Sequence, residues 1–345
     1  QRQIGRLWRR AGYQAIPAGP GKAACLTKVG LVIMILSASR RTDIPCYYSE
    51  WLMNRLKAGY VLTRNPMNHS QVSRISLSPD TVDCIVFWTK DPANMLDRLK
   101  LLDEMGYPYY FQFTLTPYGT DMERNLRDKS RITETFLRLS ETIGKEKVLW
   151  RYDPIVLNHR ISIDCLRERF EFLCSELSGY TNICTISFVD MYAKLTKAIG
   201  ENLIREITET ERNRLAELFS QTGRRYGIEI RACCEKTDLT GYGIRPAGCI
   251  DRETVEKICG YPIHGKRDTN QRPGCGCIQS VDIGAYNTCK NGCIYCYANY
   301  SHNAVDKNCS LHDPSSDILI GTVRPEEKIV VRRAESLREH QTRLF

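Results

Sequence analysis

From residue 31 onward, short apolar runs alternate with stretches whose apolar positions recur every three or four residues. The runs Ile33–Ser39, Tyr60–Arg64, Cys84–Trp88, Tyr109–Leu115, Val148–Tyr152, Ile183–Val189, Ile228–Ala232 and Ser280–Tyr286 are brief and mostly rich in β-branched or aromatic residues, the pattern of buried strands. Between them, Ser49 to Lys57 puts Trp51, Leu52 and Leu56 on one side. Ala93 to Met105 does the same with Met95, Leu96, Leu99 and Leu102, and Ser162 to Leu177 with Ile163, Leu166, Phe170, Leu173 and Leu177. These spacings predict helices that bury one stripe. Gly59, Gly106 and Gly179 follow them, where a left-handed cap is wanted.

Eight strands alternating with helices predict an α/β fold, a (β/α)8 TIM-like barrel, over an open doubly wound sheet. In a parallel barrel all strand C-terminal ends lie on one face. Here those ends are repeatedly polar: Arg40-Arg41-Thr42-Asp43, Asn65-Pro66, Thr89-Lys90-Asp91-Pro92, the run Gln112, Thr114 and Thr116, Arg151-Tyr152-Asp153-Pro154, Asp190, and Cys233-Cys234-Glu235. A polar site on that face is expected. After Ala298 the pattern fades into Asn- and Ser-rich turns and a charged tail.

Composition supports a protein with a full core, 42% hydrophobic and 26% charged. No apolar run approaches the roughly 18 to 20 residues of a membrane span. The net charge of +9 hints at nucleic acid, but its distribution weakens the hint. Residues 1–33 hold Arg2, Arg6, Arg9, Arg10, Lys22 and Lys28 and no acid, so the body is nearly balanced. That segment lacks the pattern of a secretory signal and reads as a basic extension, disordered or non-native, with Met34 as a natural start. The working domain is then 34–345.

Ten of the sixteen cysteines fall between Cys233 and Cys309. Without a secretory signal, clustered cysteines point to metal rather than to disulfides. The sharpest motif is Cys289-Lys-Asn-Gly-Cys293-Ile-Tyr-Cys296. One tight loop, helped by Gly292, can present three thiolates to three corners of an iron–sulfur cube and leave the fourth iron open. The competing ligand is zinc, with a distant fourth cysteine. Zinc ribbons usually pair two two-residue knuckles, and only Cys293–Cys296 forms one here.

This motif resembles the signature of the radical S-adenosylmethionine superfamily, in which the penultimate position is commonly aromatic, as Tyr295 is. With Tyr297 following, it looks especially like the spore photoproduct lyase branch. The resemblance implies a 4Fe-4S cluster on Cys289, Cys293 and Cys296, S-adenosyl-L-methionine chelated at the open iron near Tyr295, and radical chemistry on a substrate it does not name. It also implies a flavodoxin- or ferredoxin-like electron donor and a reducing cytoplasm. In most superfamily members the motif follows the first strand. Here it follows the last, which a circularly ordered barrel accommodates if Ser280–Tyr286 stands in for the usual first strand. The longer motifs Ser37-Ala-Ser-Arg-Arg-Thr-Asp-Ile-Pro45, Trp88-Thr-Lys-Asp-Pro92, Trp150-Arg-Tyr-Asp-Pro-Ile155 and Asp282-Ile-Gly-Ala-Tyr-Asn-Thr-Cys289 resemble the bacterial and archaeal domain-of-unknown-function 1848 family. That family is noted for such a C-terminal cysteine cluster.

A second group joins Cys249, Cys275 and Cys277 with Cys233 or Cys234, and suits an auxiliary iron–sulfur cluster or a zinc; ordinary buried cysteines are the alternative. Cys259 and Cys309 have no close partner in sequence. Lys90 and Arg151 are candidates to hold the cofactor carboxylate. Asn65, Thr114 and Asp153 are candidates for ribose or substrate polar groups, with Asp153 and Glu235 as possible acids or bases. His264, His302 and His312 read as packing or surface residues. Two other functions compete: a zinc-stabilised nucleic-acid-binding barrel, and a hydrolase using metal-bound water, which would want more histidines at strand ends.

Overall fold

The computed structural model describes residues 31–68, 70–272 and 274–338. The basic segment 1–30, including Cys25, lies outside the described residues. Twelve strands are labelled in chain order. They are β1 Leu31–Ile33, β2 Ile35–Ala38, β3 Tyr60–Arg64, β4 Gln71–Ser76, β5 Cys84–Thr89, β6 Tyr109–Thr114, β7 Val148–Ile155, β8 Ile183–Phe188, β9 Glu229–Ala232, β10 Arg245–Pro246, β11 Val281–Asp282 and β12 Lys328–Glu335.

An eight-stranded sheet runs in the order β10-β9-β8-β7-β6-β5-β2-β11, and its ladders are parallel throughout. This is an α/β fold consistent with a TIM-like barrel. Among the described residues no ladder joins β10 to β11. The run at 280–286 contributes only the short β11, which pairs beside β2 as a first strand would. The remaining strands form a separate four-stranded sheet, β1-β12-β4-β3. Two expectations change. Tyr60–Arg64 is a strand but pairs antiparallel with β4 outside the barrel sheet, because a period-two pattern does not say which sheet a strand joins. The charged tail contains β12, flanked by β1 and β4 through parallel ladders.

The pleat explains how the main sheet is covered. Alternate residues Ile85, Phe87, Phe111, Phe113 and Trp150 join a large core with the helices Ser49–Ala58, Lys129–Ile143, Ile163–Leu177 and Glu209–Arg225. Phe170 stacks on Trp150 at 5.2 Å between ring centroids and meets Phe219 at 4.1 Å. On the opposite face Ile35, Val86, Tyr110 and Leu149 pack against Ile250, Ile263, Ile278 and Val255 of the helix Arg252–Cys259. Following that face toward the strand C-termini, its side chains change to Ser37, Trp88, Gln112, Arg151, Thr185, Arg231 and Cys233. Of the polar strand ends read from the sequence, Gln112, Arg151 and Cys233 therefore share one end of one face, whereas Asn65-Pro66 belongs to the other sheet.

The helices end as their sequences predict. Gly59 adopts φ 74° and caps the first helix with a bond to Leu56, and Ser162 accepts from the Cys165 amide. At Glu209–Arg225, Thr208 and Glu211 form a reciprocal capping box. Replacing Thr208 by Ala removes one side of it, with an expected loss of about 1 kcal/mol. A urea titration with unchanged slope and a lower midpoint checks this.

Candidate metal centre

The loop that carries Cys289, Cys293 and Cys296 leaves β11 and is fixed at many points before any metal is considered. Asp282, the last residue of β11, accepts from the Arg40 amide at 2.8 Å and the Gly284 amide at 2.9 Å, bonds Ser37 and Ser39, and pairs with Arg41 at 3.3 Å. Gly284 is needed there, since a Cβ would lie 2.2 Å from Ser39 Oγ. Tyr48 Oη donates to the Thr288 carbonyl at 2.6 Å, and Asn299 Nδ2 to the Cys289 carbonyl at 2.7 Å. Cys309 contacts Tyr48 Oη at 3.2 Å and so supports the loop.

A second loop closes over the first. Glu123 bridges Cys293 backbone to backbone, the Ile294 amide donates to the Met122 carbonyl at 3.0 Å, and the Asn125 amide to the Asn291 carbonyl at 3.2 Å. Gly292 sits at φ 67°, and a Cβ there would approach Asn125 Nδ2 to 2.9 Å. Both facts disfavour any side chain. Gly292→Ala is expected to loosen this crossing and lower cluster occupancy after anaerobic reconstitution, read as iron per chain, while circular dichroism stays that of the folded protein.

The three thiols lie within electrostatic reach of one another. Burial pushes Cys289 well up and Cys293 up to about 12, so binding a metal here must release protons. The Ala298 amide donates to Cys296 Sγ at 3.3 Å, as an amide would to a thiolate. Among the described residues no three His, Cys, Asp or Glu donors are set to share a single ion. A cube makes a different demand, because each thiolate takes its own iron.

Beside Cys293 lies a buried charge network. Glu123 accepts from Lys90 Nζ and Thr116 Oγ1, each at 2.8 Å, and also from Lys129 Nζ and Tyr295 Oη. Burial works against the Glu123 charge, but Lys90 and Lys129 overcome it and hold the pKa at about 2. Burial also opposes the Lys90 charge, and Glu123 and Cys293 more than offset that, so its pKa is raised. Lys90 Nζ stands 5.5 Å from the Tyr295 ring centroid. Asp43 accepts from the Lys90 amide at 2.8 Å and from Asn291 at 3.2 Å; its burial raises its pKa to about 6.

The other candidates divide. Arg151 donates to Cys249 Sγ at 2.8 Å and to Asp153 at 2.7 Å, so it faces the second cysteine group. Asp153 acts electrostatically on Lys90, Arg151, Cys233, Tyr297 and Glu235, which puts it between the two groups. Glu235 accepts from the Phe188 amide at 2.8 Å and pairs with Arg212 at 3.2 Å; burial raises its pKa. Thr114 pairs in register with Arg151. Asn65 lies in the β3–β4 hairpin, bonded to Gln71 and the Met67 amide, away from both groups. In the second group Cys233, Cys249, Cys275 and Cys277 form one buried cluster, with Trp88 and Cys234 at its edge. Between the two adjacent candidates, Cys233 makes the sulfur contact, at 2.9 Å from Cys249 Sγ. Cys234 has φ 57° and packs at the edge of the cluster. The sequence did not single out Glu123 or Lys129; it placed Arg40 at a polar strand end and Asp282 in a family motif without giving either a role.

Fold and site together define an α/β protein with an eight-stranded parallel sheet and cysteine groups gathered at one end of it. The family model described as "Domain of unknown function (DUF1848)" matches residues 35–298, and the chain belongs to that family. No curated protein matches it. Among solved structures, a crystal structure described as that of an alpha-L-fucosidase from Bacteroides thetaiotaomicron VPI-5482 is similar at 10% identity, covering 72% of this chain and 89% of that one, with a TM-score of 0.26. No helix among the described residues is long and apolar enough to cross a membrane.

Proposed function

We propose that this protein is a radical S-adenosylmethionine enzyme whose 4Fe-4S cluster is held by Cys289, Cys293 and Cys296. The observation that carries the proposal is the convergence of three thiols, spaced as a cluster loop, beside two half-buried lysines. When bound, such a cluster supplies one-electron reductive cleavage of the sulfonium of S-adenosyl-L-methionine, yielding methionine and a 5′-deoxyadenosyl radical.

The protein's own part is to hold, orient and screen. Two backbone crossings between the 119–126 loop and the cysteine loop fix the positions of the thiols. Lys90 and Lys129 put positive charge next to Cys293, which favours the thiolate. Glu123 pairs with both half-buried lysines, raising the Lys90 pKa and opposing the burial that lowers that of Lys129, and ties Tyr295 to them. Asp153, which acts electrostatically on Lys90 and Tyr297 as well as on Cys233, is the proposed contact for cofactor or substrate, with Arg151 holding it from the side of the second group. The circular order of the barrel, with β11 beside β2, is part of the same reading. A flavodoxin- or ferredoxin-like donor would supply the electron. The substrate class is left open; nucleic acid draws support only from the motif resemblance.

The test is dithionite-dependent formation of 5′-deoxyadenosine from S-adenosyl-L-methionine by anaerobically reconstituted protein. Absence of that product with a fully loaded cluster would overturn the proposal.

A further inference from the structure

The second cysteine group is the most completely built site outside the one just described. Its four thiols come from three segments. Cys233 follows β9, Cys249 follows β10, and Cys275 and Cys277 lie on the strap that precedes β11. All four are buried. The segments are pressed together where only glycine fits. A Cβ on Gly248 would lie 2.6 Å from the Gly276 carbonyl oxygen, so the chains beside Cys249 and between Cys275 and Cys277 touch backbone to backbone. Tyr110 Oη and Gln112 Nε2 both donate to the Cys249 carbonyl, at 3.2 and 2.6 Å, and the Ile278 amide bonds the Ile250 carbonyl at 2.9 Å.

Two arginines complete the surroundings. Arg151 Nη1 lies 2.8 Å from Cys249 Sγ. Arg40 acts electrostatically on Cys249 and Cys277, and its Nη2 is a buried donor with no hydrogen-bond partner. Both guanidinium groups sit over Trp88, at 4.9 Å for Arg40 and 5.4 Å for Arg151. Buried arginines facing neutral thiols would be a poor bargain, because a thiol accepts a hydrogen bond weakly. Facing thiolates, they are well placed.

We propose that Cys233, Cys249, Cys275 and Cys277 bind one zinc ion as a closed tetrathiolate site, with Arg40 and Arg151 partly balancing its charge. Four thiolates around a divalent ion leave two negative charges; Arg151, which also pairs with Asp153 at 2.7 Å, and Arg40, on which Asp282 also acts, offset part of them. The contact between Cys233 and Cys249, at 2.9 Å, favours one ion over a cluster. Thiolate sulfurs around a single zinc at about 2.3 Å stand about 3.8 Å apart. On a cube each thiolate takes its own iron, and the sulfurs stand farther apart still. Cys233 and Cys249 stand closer than two sulfurs sharing a zinc, and no three of the described thiols are set around one ion; binding therefore requires their side chains to move apart. With four protein ligands the site has no open position, so its role is to staple the 245–278 strap to the end of β9. It stands independently of the radical reading.

The test measures zinc and iron per chain in anaerobically purified protein, together with zinc-edge X-ray absorption. The expected result is one zinc per chain with four sulfur neighbours at about 2.3 Å. Zinc is expected to persist in the Cys289→Ala, Cys293→Ala, Cys296→Ala triple variant and to fall at least tenfold in the Cys249→Ala, Cys277→Ala double variant. The absorption spectrum of the wild-type protein stands without any variant folding. Wild-type protein without zinc, zinc with nitrogen or oxygen neighbours, a Cys233–Cys249 disulfide under reducing conditions, or iron with iron–iron scattering in the triple variant would each overturn the assignment.

Discussion

Cys293→Ala is expected to lower reductive formation of 5′-deoxyadenosine by at least a hundredfold. Cys293 is the middle ligand of the proposed set and touches both halves of the site. Its backbone bridges Glu123, and its thiol lies in the field of Lys90 and Lys129. Removing one of three thiolates leaves two, and a cube with a second uncoordinated corner is easily lost. The fold should survive, because the loop is tied elsewhere by Asp282, Tyr48, Asn299 and Asn125. Product assayed by chromatography, with circular dichroism as the folding control, separates loss of chemistry from loss of structure. Wild-type levels of product from the variant would show that the motif has been misassigned.

The second large effect is expected at Glu123. This buried carboxylate holds two half-buried ammonium groups, a threonine and a tyrosine. Glu123→Ala leaves Lys90 and Lys129 without their counter-ion, a change that costs about 3 kcal/mol, the low end for a broken buried pair because both ammonium groups keep some contact with water. The pH dependence gives a sharper readout. Lys90 and Lys129 depress the Glu123 pKa in the folded protein to about 2, below its ordinary value of 4.5. The stability it contributes is therefore complete above about pH 4.5 and is lost as pH falls toward and through 2. Wild-type protein should weaken across that window by more than Glu123→Gln does, and the difference should vanish at the acid end. Parallel curves for the two proteins would show that the ion pairs contribute nothing.

Much of this was legible in the sequence, for physical reasons that differ by element. The strands β5 to β9 and the helices Ser49–Ala58 and Ile163–Leu177 came through because a sheet buried on both faces needs continuous apolar runs, and a helix packed on it needs a stripe, whereas Lys129–Ile143 and Glu209–Arg225 did not come through. The cysteine groups came through because spacing limits what a short loop can present. Position between sheets did not come through: Tyr60–Arg64 has the pattern of a strand whichever sheet it joins. Lys328–Glu335 reads as a charged tail because Lys328, Arg332, Arg333 and Glu335 leave only the three-residue apolar run Ile329 to Val331 between them. The Glu123 network was invisible because Gly119-Thr-Asp-Met-Glu123-Arg-Asn has the composition of an exposed loop. Only the tertiary approach of Lys90 and Lys129 reveals a buried carboxylate. Arg151 was placed with the first cysteine group by its position at a strand end, whereas its side chain turns to Cys249. The choice of Cys233 over Cys234 depended on a tertiary contact with Cys249 that composition does not announce.

The most direct measurement is electron paramagnetic resonance of the reduced, anaerobically reconstituted protein before and after addition of S-adenosyl-L-methionine. With three cysteine ligands and one open iron, the spectrum should be that of a single reduced cube, and it should change when the cofactor binds. A cube signal indifferent to the cofactor, or reconstituted protein that takes up no iron at Cys289, Cys293 and Cys296, would contradict the account.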